Sequence, residues 1–241
     1  MPELPEVEVV RRGLEQAVAG RTIAAVEVLH PRPVRRHPAG AEDFALTLIG
    51  RTMAVPRRRG KYLWLPLTDG DAILAHLGMS GQFLVTDASV PDARNTRIRF
   101  SFTDGGRQVR FVDQRMFGGL SVSIGGAELP IEIAHIGRDP FDPEFDLTAT
   151  ADRIRRKRTG IKRALLDQTV VSGIGNIYAD EALWLARVHY AQAADAMARR
   201  RIVAALEAAR TVMASALEQG APASTSCMST STATVATSPG S

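Results

Sequence analysis

Proline at position 2 is the first residue of this sequence with unusual chemical reach. A small second residue permits removal of the initiator Met1, and the chain then begins with a secondary amine. An ordinary α-amine has a pKa of about 7.7–8.0, so a useful fraction is a free nucleophile at neutral pH without the pKa depression a lysine needs. Glu3 stands beside it with the type of group that moves the protons imine chemistry requires. The same two residues also suit a helix start, where proline presets the first turn and a carboxylate meets the positive end of the dipole. Lys61 is unusual for another reason. The sequence holds 27 Arg against three Lys, namely Lys61, Lys157 and Lys162. Where arginine is the default cation, a lysine suggests a group that must be able to release its proton, as guanidinium cannot. Asn176 follows Gly173-Ile174-Gly175 at the predicted start of a helix, so its amide and the free backbone N–H groups there can face a phosphate together.

These residues need a scaffold. The chain has 241 residues, 45% apolar and 23% charged, enough to bury one or two cores. A net charge of +4 with a pI near 9.7 suits a polyanionic partner, although solvated arginines from a compositional bias account for the same values. No run of about 18 apolar residues occurs and the N-terminus is acidic, so neither a membrane span nor a secretory leader is expected. The expected location is cytoplasmic, with the nucleoid. One cysteine, Cys227, excludes a disulfide framework and any cysteine-based metal site within one chain.

Apolar Val7, Val9, Val10, Leu14 and Val18 recur at helical spacing and Gly20 can end the turn, which predicts a helix over Pro5–Ala19. Strand patterns follow at Thr22–Leu29, Lys61–Leu67, Ala72–Leu77, Gln82–Val85, Arg97–Phe102, Val109–Val112 and Leu120–Ile124, separated by Asp-Gly turn signals. Strands at this density suggest a sandwich or barrel. Asp-Pro and acidic residues over 138–144 read as a linker, and the β signal stops there. Helical patterns then occupy Ala149–Arg156, Ile161–Gln168, Asn176–Val188 and Asp195–Glu218. The chain is therefore α+β, with a catalytic β domain over 1–135, a linker over 136–146 and an all-helical domain over 147–219. The Ser/Thr/Ala-rich stretch 220–241 is expected to be disordered.

Five separated motifs stand in this frame: Pro-Glu-Leu-Pro-Glu-Val-Glu at 2–8, Arg-Arg-Gly-Lys-Tyr-Leu at 58–63, His-Leu-Gly-Met-Ser-Gly at 76–81, Asp-Gln-Arg-Met-Phe-Gly-Gly at 113–119 and Gly-Ile-Gly-Asn-Ile-Tyr-Ala-Asp-Glu at 173–181. In order and spacing, across residues 1–219, the sequence resembles the formamidopyrimidine-DNA glycosylases; its opening favours that branch over the endonuclease VIII type. The resemblance implies a two-sheet β-sandwich with a flanking helix, then a helix–two-turn–helix DNA-binding domain, with damaged double-stranded DNA in the basic cleft between them. It implies a monomeric base-excision repair enzyme, using no redox or nucleotide cofactor. Such an enzyme removes oxidised purines such as 8-oxoguanine and formamidopyrimidines, then cleaves the strand as a lyase. On this sequence Pro2 becomes the nucleophile that forms a Schiff base with the sugar, Glu3 its acid/base partner and Lys61 the lysine assisting base loss and β-elimination. Asn95, Arg115, Lys157, Lys162 and Asn176 take the DNA-contacting positions, and Met79, Arg115 and Phe117 those that fill the gap left by an extruded nucleotide. Taken alone, Met79 and Phe117 would be core residues; their glycine-flanked settings point instead to loop tips.

Two departures accompany the resemblance. Asn95 stands where a phosphate-contacting histidine is expected, so it can donate but brings no charge. The family also continues past its long helix into a lesion-capturing loop and a four-cysteine zinc finger, and neither is legible here. No metal role is expected for Cys227. The tail reads as a shifted frame: one base restored at the Gly220 codon of a suitable back-translation yields Gly-Gly-Thr-Ser-Phe-Asp-Glu-Leu-Tyr, similar to the family loop. The expected consequences are impaired lesion capture and a partly bare apolar face on the helix Asp195–Glu218. The competing reading is a catalytically silent DNA-binding remnant.

Overall fold

The computed structural model describes residues 2–220, and the expectations for the tail, with Cys227, lie outside them. Helix α1 (Leu4–Val18) opens the described chain one residue earlier than its periodicity predicts. Eight strands follow: β1 (Ile23–Val28), β2 (Arg57–Arg59), β3 (Tyr62–Pro66), β4 (Ala72–His76), β5 (Gly81–Thr86), β6 (Thr96–Phe102), β7 (Gln108–Asp113) and β8 (Gly119–Ser123), with helix α2 (Gly40–Leu48) between β1 and β2. They form two antiparallel four-stranded sheets, ordered β1-β6-β7-β5 and β2-β3-β4-β8. The expected sandwich with its flanking helix is what the chain forms. Its core joins Phe83, Ile98, Phe100 and Phe111 of one sheet to Leu63, Leu65, Ile73 and Ala75 of the other, closed by Val7, Val10 and Leu14 of α1 and Phe44 and Leu48 of α2.

Strands β3 and β4 are buried on both faces, which explains their unbroken apolar runs. Alternate residues Trp64, Ala72 and Leu74 face away from the main core and are covered by Ile133 and Ile136. The stretch after the sandwich is thus fastened rather than loose: Ile136 is buried, Gly137 N–H donates to the Gln168 carbonyl, and Asp139 is inside the protein.

Helices α3 (Leu147–Arg155), α4 (Ile161–Leu165), α5 (Asn176–Leu185) and α6 (Arg199–Glu218) surround a second core built on Ile154, Leu165, Leu183, Ile202 and Leu206. The long helix starts at Arg199, not at Asp195. The reason lies in the preceding segment, where Ile161 N–H donates to the Gln192 carbonyl and Ala194 N–H to the Thr159 carbonyl, holding that backbone extended. The expected bare face on α6 is absent too: Ile202, Leu206, Ala209 and Met213 are buried, and Val203, Val212 and Leu217 pack against them. Bare apolar surface belongs instead to α5, where Trp184 is 85% exposed and Leu185 more than half. Leu4 is counted in the helical core while Val7 belongs to the sandwich core, so the first turns of α1 join the two.

Candidate active site

That join is built on the residues flanking Pro2. Leu4 N–H donates to the Gly173 carbonyl at 3.1 Å. The Glu3 side chain, only 3% exposed, reaches the start of α5 and accepts from Gly175 N–H at 2.7 Å, Ile177 N–H at 2.9 Å and Tyr178 N–H at 3.2 Å. A carboxylate here satisfies the free donors of a helix N-terminus and meets its positive dipole. The sequence expectation placed a phosphate against these N–H groups; the structure gives three of them to Glu3, with Asn176 left exposed beside it. Glycines make the approach possible. A Cβ on Gly175 would lie 2.2 Å from the Glu3 carboxyl carbon, and one on Gly173, whose φ is +89°, would lie 2.5 Å from a Leu4 methyl.

One more acid and a tyrosine complete this arrangement, Glu6 and Tyr178, and sequence reading missed both. Glu6 Oε2 accepts from Glu3 N–H at 2.8 Å, and its Oε1 accepts from the Tyr178 hydroxyl at 2.9 Å. Burial, and then the bond to Glu6, push the Tyr178 hydroxyl above its ordinary value, so it stays a donor. Pro2, half-buried, precedes this knot directly.

Lys61 arrives from the sandwich. It follows Gly60 in the turn between β2 and β3, where φ is +57° and a Cβ would sit 2.6 Å from that of Ser172. The turn is anchored by Asp139, which accepts from Gly60 N–H at 3.1 Å and from Arg58 at 2.9 Å; Arg58 also donates to Glu8 at 3.0 Å. Lys61 is 8% exposed. Burial lowers the pKa of its ammonium, opposed by the fields of Glu3 and Glu6, which act without a hydrogen bond to it. The structure therefore brings Pro2, Glu3 and Lys61 to one junction between the two cores.

His76 is a further group that sequence reading passed over, although it opens one of the five motifs. Its Nδ1 accepts from Gly78 N–H at 3.1 Å, which leaves the proton on Nε2. Its ring meets that of Tyr62 in a tilted contact, centroids 4.8 Å apart. Burial, then the charges of Arg36, Lys61 and Arg35, lower its pKa to about 4, so it is a neutral donor at physiological pH.

The remaining predicted residues lie apart from the junction. Met79, in the turn between β4 and β5, is 43% exposed; Phe117, in the loop between β7 and β8, is 46% exposed, with the Arg115 guanidinium 5.3 Å from its ring centre. Both apolar side chains sit at loop tips, as their glycine neighbours suggested. Asn95 is half-buried just before β6, its side-chain Oδ1 taken by Arg97 at 3.1 Å. Lys157 and Lys162 are ion-paired, with Asp167 at 2.8 Å and Asp180 at 2.7 Å respectively. That pairing was invisible in the sequence because each partner is ten or more residues away. The donors for a zinc ion do not fit: the chain has one cysteine, and among the described residues no group of three or more His, Cys, Asp or Glu could hold a metal.

Comparison with known proteins places both halves. Residues 1–120 match the model of the formamidopyrimidine-DNA glycosylase N-terminal domain, and residues 136–228 that of the formamidopyrimidine-DNA glycosylase H2TH domain. The formamidopyrimidine-DNA glycosylase of a Parafrankia species is 61% identical over 228 residues, covering 91% of this chain and 78% of that protein. That of Salinispora arenicola is 60% identical over 220 residues, covering 91% and 77%. Among solved structures, the Lactococcus lactis enzyme bound non-covalently to DNA containing an AP site superposes with a TM-score of 0.83 at 32% identity, over 91% of this chain and 83% of that one. The same enzyme with DNA containing N7-benzyl-Fapy-dG gives 0.82 at 32% identity, over 90% and 79%.

Proposed function

The chain belongs to the formamidopyrimidine-DNA glycosylase family, and from that membership we propose that Pro2, Glu3 and Lys61 excise oxidised purines from duplex DNA and cleave the resulting abasic site. It is a DNA glycosylase of base-excision repair, with the bifunctional glycosylase and AP-lyase chemistry of its family. No helix of the described residues is long and apolar enough to cross a membrane, and the enzyme works where the chromosome is.

Once Met1 is removed, the Pro2 nitrogen attacks C1′ of the extruded nucleotide. The N–C1′ bond forms as the glycosidic C1′–N bond breaks, the bonding pair leaves with the base, and the base takes up a proton. The Pro2 nitrogen then loses its proton and its pair closes a C1′=N bond as the C1′–O4′ bond breaks and O4′ takes up a proton, which leaves an iminium between Pro2 and the opened sugar. It withdraws electrons from C2′; loss of a C2′ proton then expels the 3′ phosphate. Lys61 suits the proton transfers of these steps because burial makes its ammonium readier to give up a proton, which leaves a neutral amine able to take one from C2′. Glu3 supplies a carboxylate beside the reacting nitrogen, and its three bonds to α5 fix where that nitrogen lies. Asn95, Arg115, Lys157, Lys162 and Asn176 meet the DNA, while Met79, Arg115 and Phe117 enter the gap.

The observation that carries this reading is the fastening of the N-terminus: three backbone N–H groups of one core hold the residue after Pro2 beside the buried lysine of the other. Borohydride trapping on two duplexes, one with 8-oxoguanine and one with an abasic site, tests it. A covalent adduct on both, lost in Pro2→Gly, is the expected result. An adduct on the abasic duplex alone leaves a lyase without its glycosylase step. No adduct on either duplex favours the silent DNA-binding reading.

A further inference from the structure

The gap-filling side chains stand on two separate segments, and what joins those segments is buried. Asp113, at the end of β7, has no exposed surface. Its Oδ1 accepts from the Ser80 hydroxyl at 2.5 Å and from Arg115 N–H at 3.2 Å, and its Oδ2 accepts from Gly118 N–H at 2.8 Å. The Ser80 oxygen in turn accepts from Arg115 N–H at 2.9 Å. One carboxylate thus binds the turn carrying Met79 to both ends of the loop carrying Arg115 and Phe117.

The backbones meet without side chains between them. A Cβ on Gly78, whose φ is +63°, would lie 2.4 Å from the Gly118 nitrogen, and one on Gly118 would lie 2.9 Å from Asp113 Oδ2. Met116, at φ 53°, holds a left-handed conformation that a side chain other than glycine's rarely adopts. Arg35 closes the far side, donating to the Phe117 carbonyl at 3.3 Å and the Gly118 carbonyl at 3.0 Å. Two mobile loops need none of these ties; a rigid tool with three exposed tips needs them all.

We propose that Asp113, pinned through Ser80, is a positioning residue that locks the two segments into one pre-formed wedge, so that Met79, Arg115 and Phe117 enter the duplex together. The inference rests on the reading that these three side chains fill the gap. An Asn at 113 must turn an NH2 toward Gly118 N–H or toward Arg115 N–H, donor against donor, so the lock opens without a change of volume. Ser80→Ala removes the pin alone, at a half-buried position.

The test needs no catalysis. A duplex with a tetrahydrofuran abasic analogue opposite 2-aminopurine reports wedge entry as a fluorescence change in stopped flow, while binding to undamaged duplex reports general DNA affinity. Loss of a bond to a buried carboxylate suggests entry slowed about tenfold in Ser80→Ala and about thirtyfold or more in Asp113→Asn, with affinity for undamaged duplex within about twofold of the parent. Ser80→Thr, which keeps the hydroxyl, restores the rate. Phe117→Ala separates the two ways of failing. If Phe117→Ala abolishes the signal while Ser80→Ala and Asp113→Asn enter at the parent rate, or lose undamaged-duplex affinity in proportion, the lock is wrong and the wedge stands. If Phe117→Ala keeps the parent's signal, or the parent itself gives none, the underlying assignment of the three side chains fails and the lock falls with it.

Discussion

The junction around Pro2 and the edge that carries Met79, Arg115 and Phe117 are held by opposite means. At the junction Glu3 and Lys61 are buried beside half-buried Pro2, and the bonds that place them join distant parts of the chain: Glu3 and Gly175 stand 172 residues apart. Lys61 comes from the sandwich and the N–H groups that donate to Glu3 from the helical core, so neither core builds the junction alone. At the edge the working side chains are exposed and the support is buried. That support comes from one domain, with Asp113 reaching Ser80 across 33 residues and Gly118 across five. With the proposed roles, chemistry depends on two cores being docked, and gap filling on one sheet pair holding its loops. Damage to the dock should therefore silence the first and spare the second.

The largest effect is expected from one extra residue ahead of Pro2. An amide nitrogen has no lone pair available for attack, so adduct trapping should fall about a thousandfold or more while 2-aminopurine still reports wedge entry. Full trapping by the extended chain would remove Pro2 from the chemistry. Next comes Gly175→Ala. Its Cβ would meet the Glu3 carboxyl at 2.2–2.4 Å, forcing Glu3 off α5 and moving the terminus. A shift of about 1 Å in a reacting group suggests a loss on the order of 100-fold in single-turnover excision. Overpacking costs about 1–3 kcal/mol in addition, seen as a lower thermal midpoint. An equal loss of wedge entry in this variant would show that the two regions are not independent.

Lys61→Arg is expected to cost about tenfold at neutral pH, because the charge stays and the releasable proton does not. The sharper reading is the pH profile. Burial lowers the folded pKa of Lys61 below its ordinary 10.5, so the neutral amine grows as pH rises through that lowered value, and the alkaline rise in activity should vanish in the arginine variant. Stability carries the same sign. Between the folded and unfolded values the unfolded chain binds more protons, so unfolding free energy contributed by this residue rises with pH. The burial penalty is fully present below the folded pKa and is relieved above it. A parent profile identical to that of Lys61→Arg would remove this role.

The order of strands and helices was legible because most follow periods of two or 3.6 residues: α1 was one residue out at each end, and all seven predicted strands match observed ones to within one residue at either end. Helix α2 and the three-residue β2 were missed, the first because its apolar face is short and the second because Arg57-Arg58-Arg59 carries no strand signal. At the site, Pro2, Glu3 and Lys61 were legible from residue type and motif. Their supports were not. Glu6, Tyr178, Asp139 and Asp113 are ordinary polar residues until folding brings each to a partner, and the helix start reserved for a phosphate was claimed by a carboxylate from the other end of the sequence. Glycine was the one usable signal, since Gly60, Gly173 and Gly175 mark where the two cores approach too closely for a side chain.

The smallest effect concerns Lys162 and separates a third surface from both regions. Its ammonium already sits 2.7 Å from Asp180, so meeting a phosphate means exchanging one anion for another. Losing such a lysine removes less than one full phosphate contact. Lys162→Ala should weaken duplex affinity only about two- to threefold and reduce the salt slope by less than the roughly 0.9 of a free contact. Asp180→Ala is the informative partner: freeing the ammonium should tighten binding by a similar factor and steepen the slope. A full loss of about 0.9 in Lys162→Ala, with no change in Asp180→Ala, would mean that the carboxylate is abandoned on binding and that the pair belongs to the free protein alone. Neither substitution should move adduct trapping at saturating protein, because the pair touches neither the fastened terminus nor the wedge.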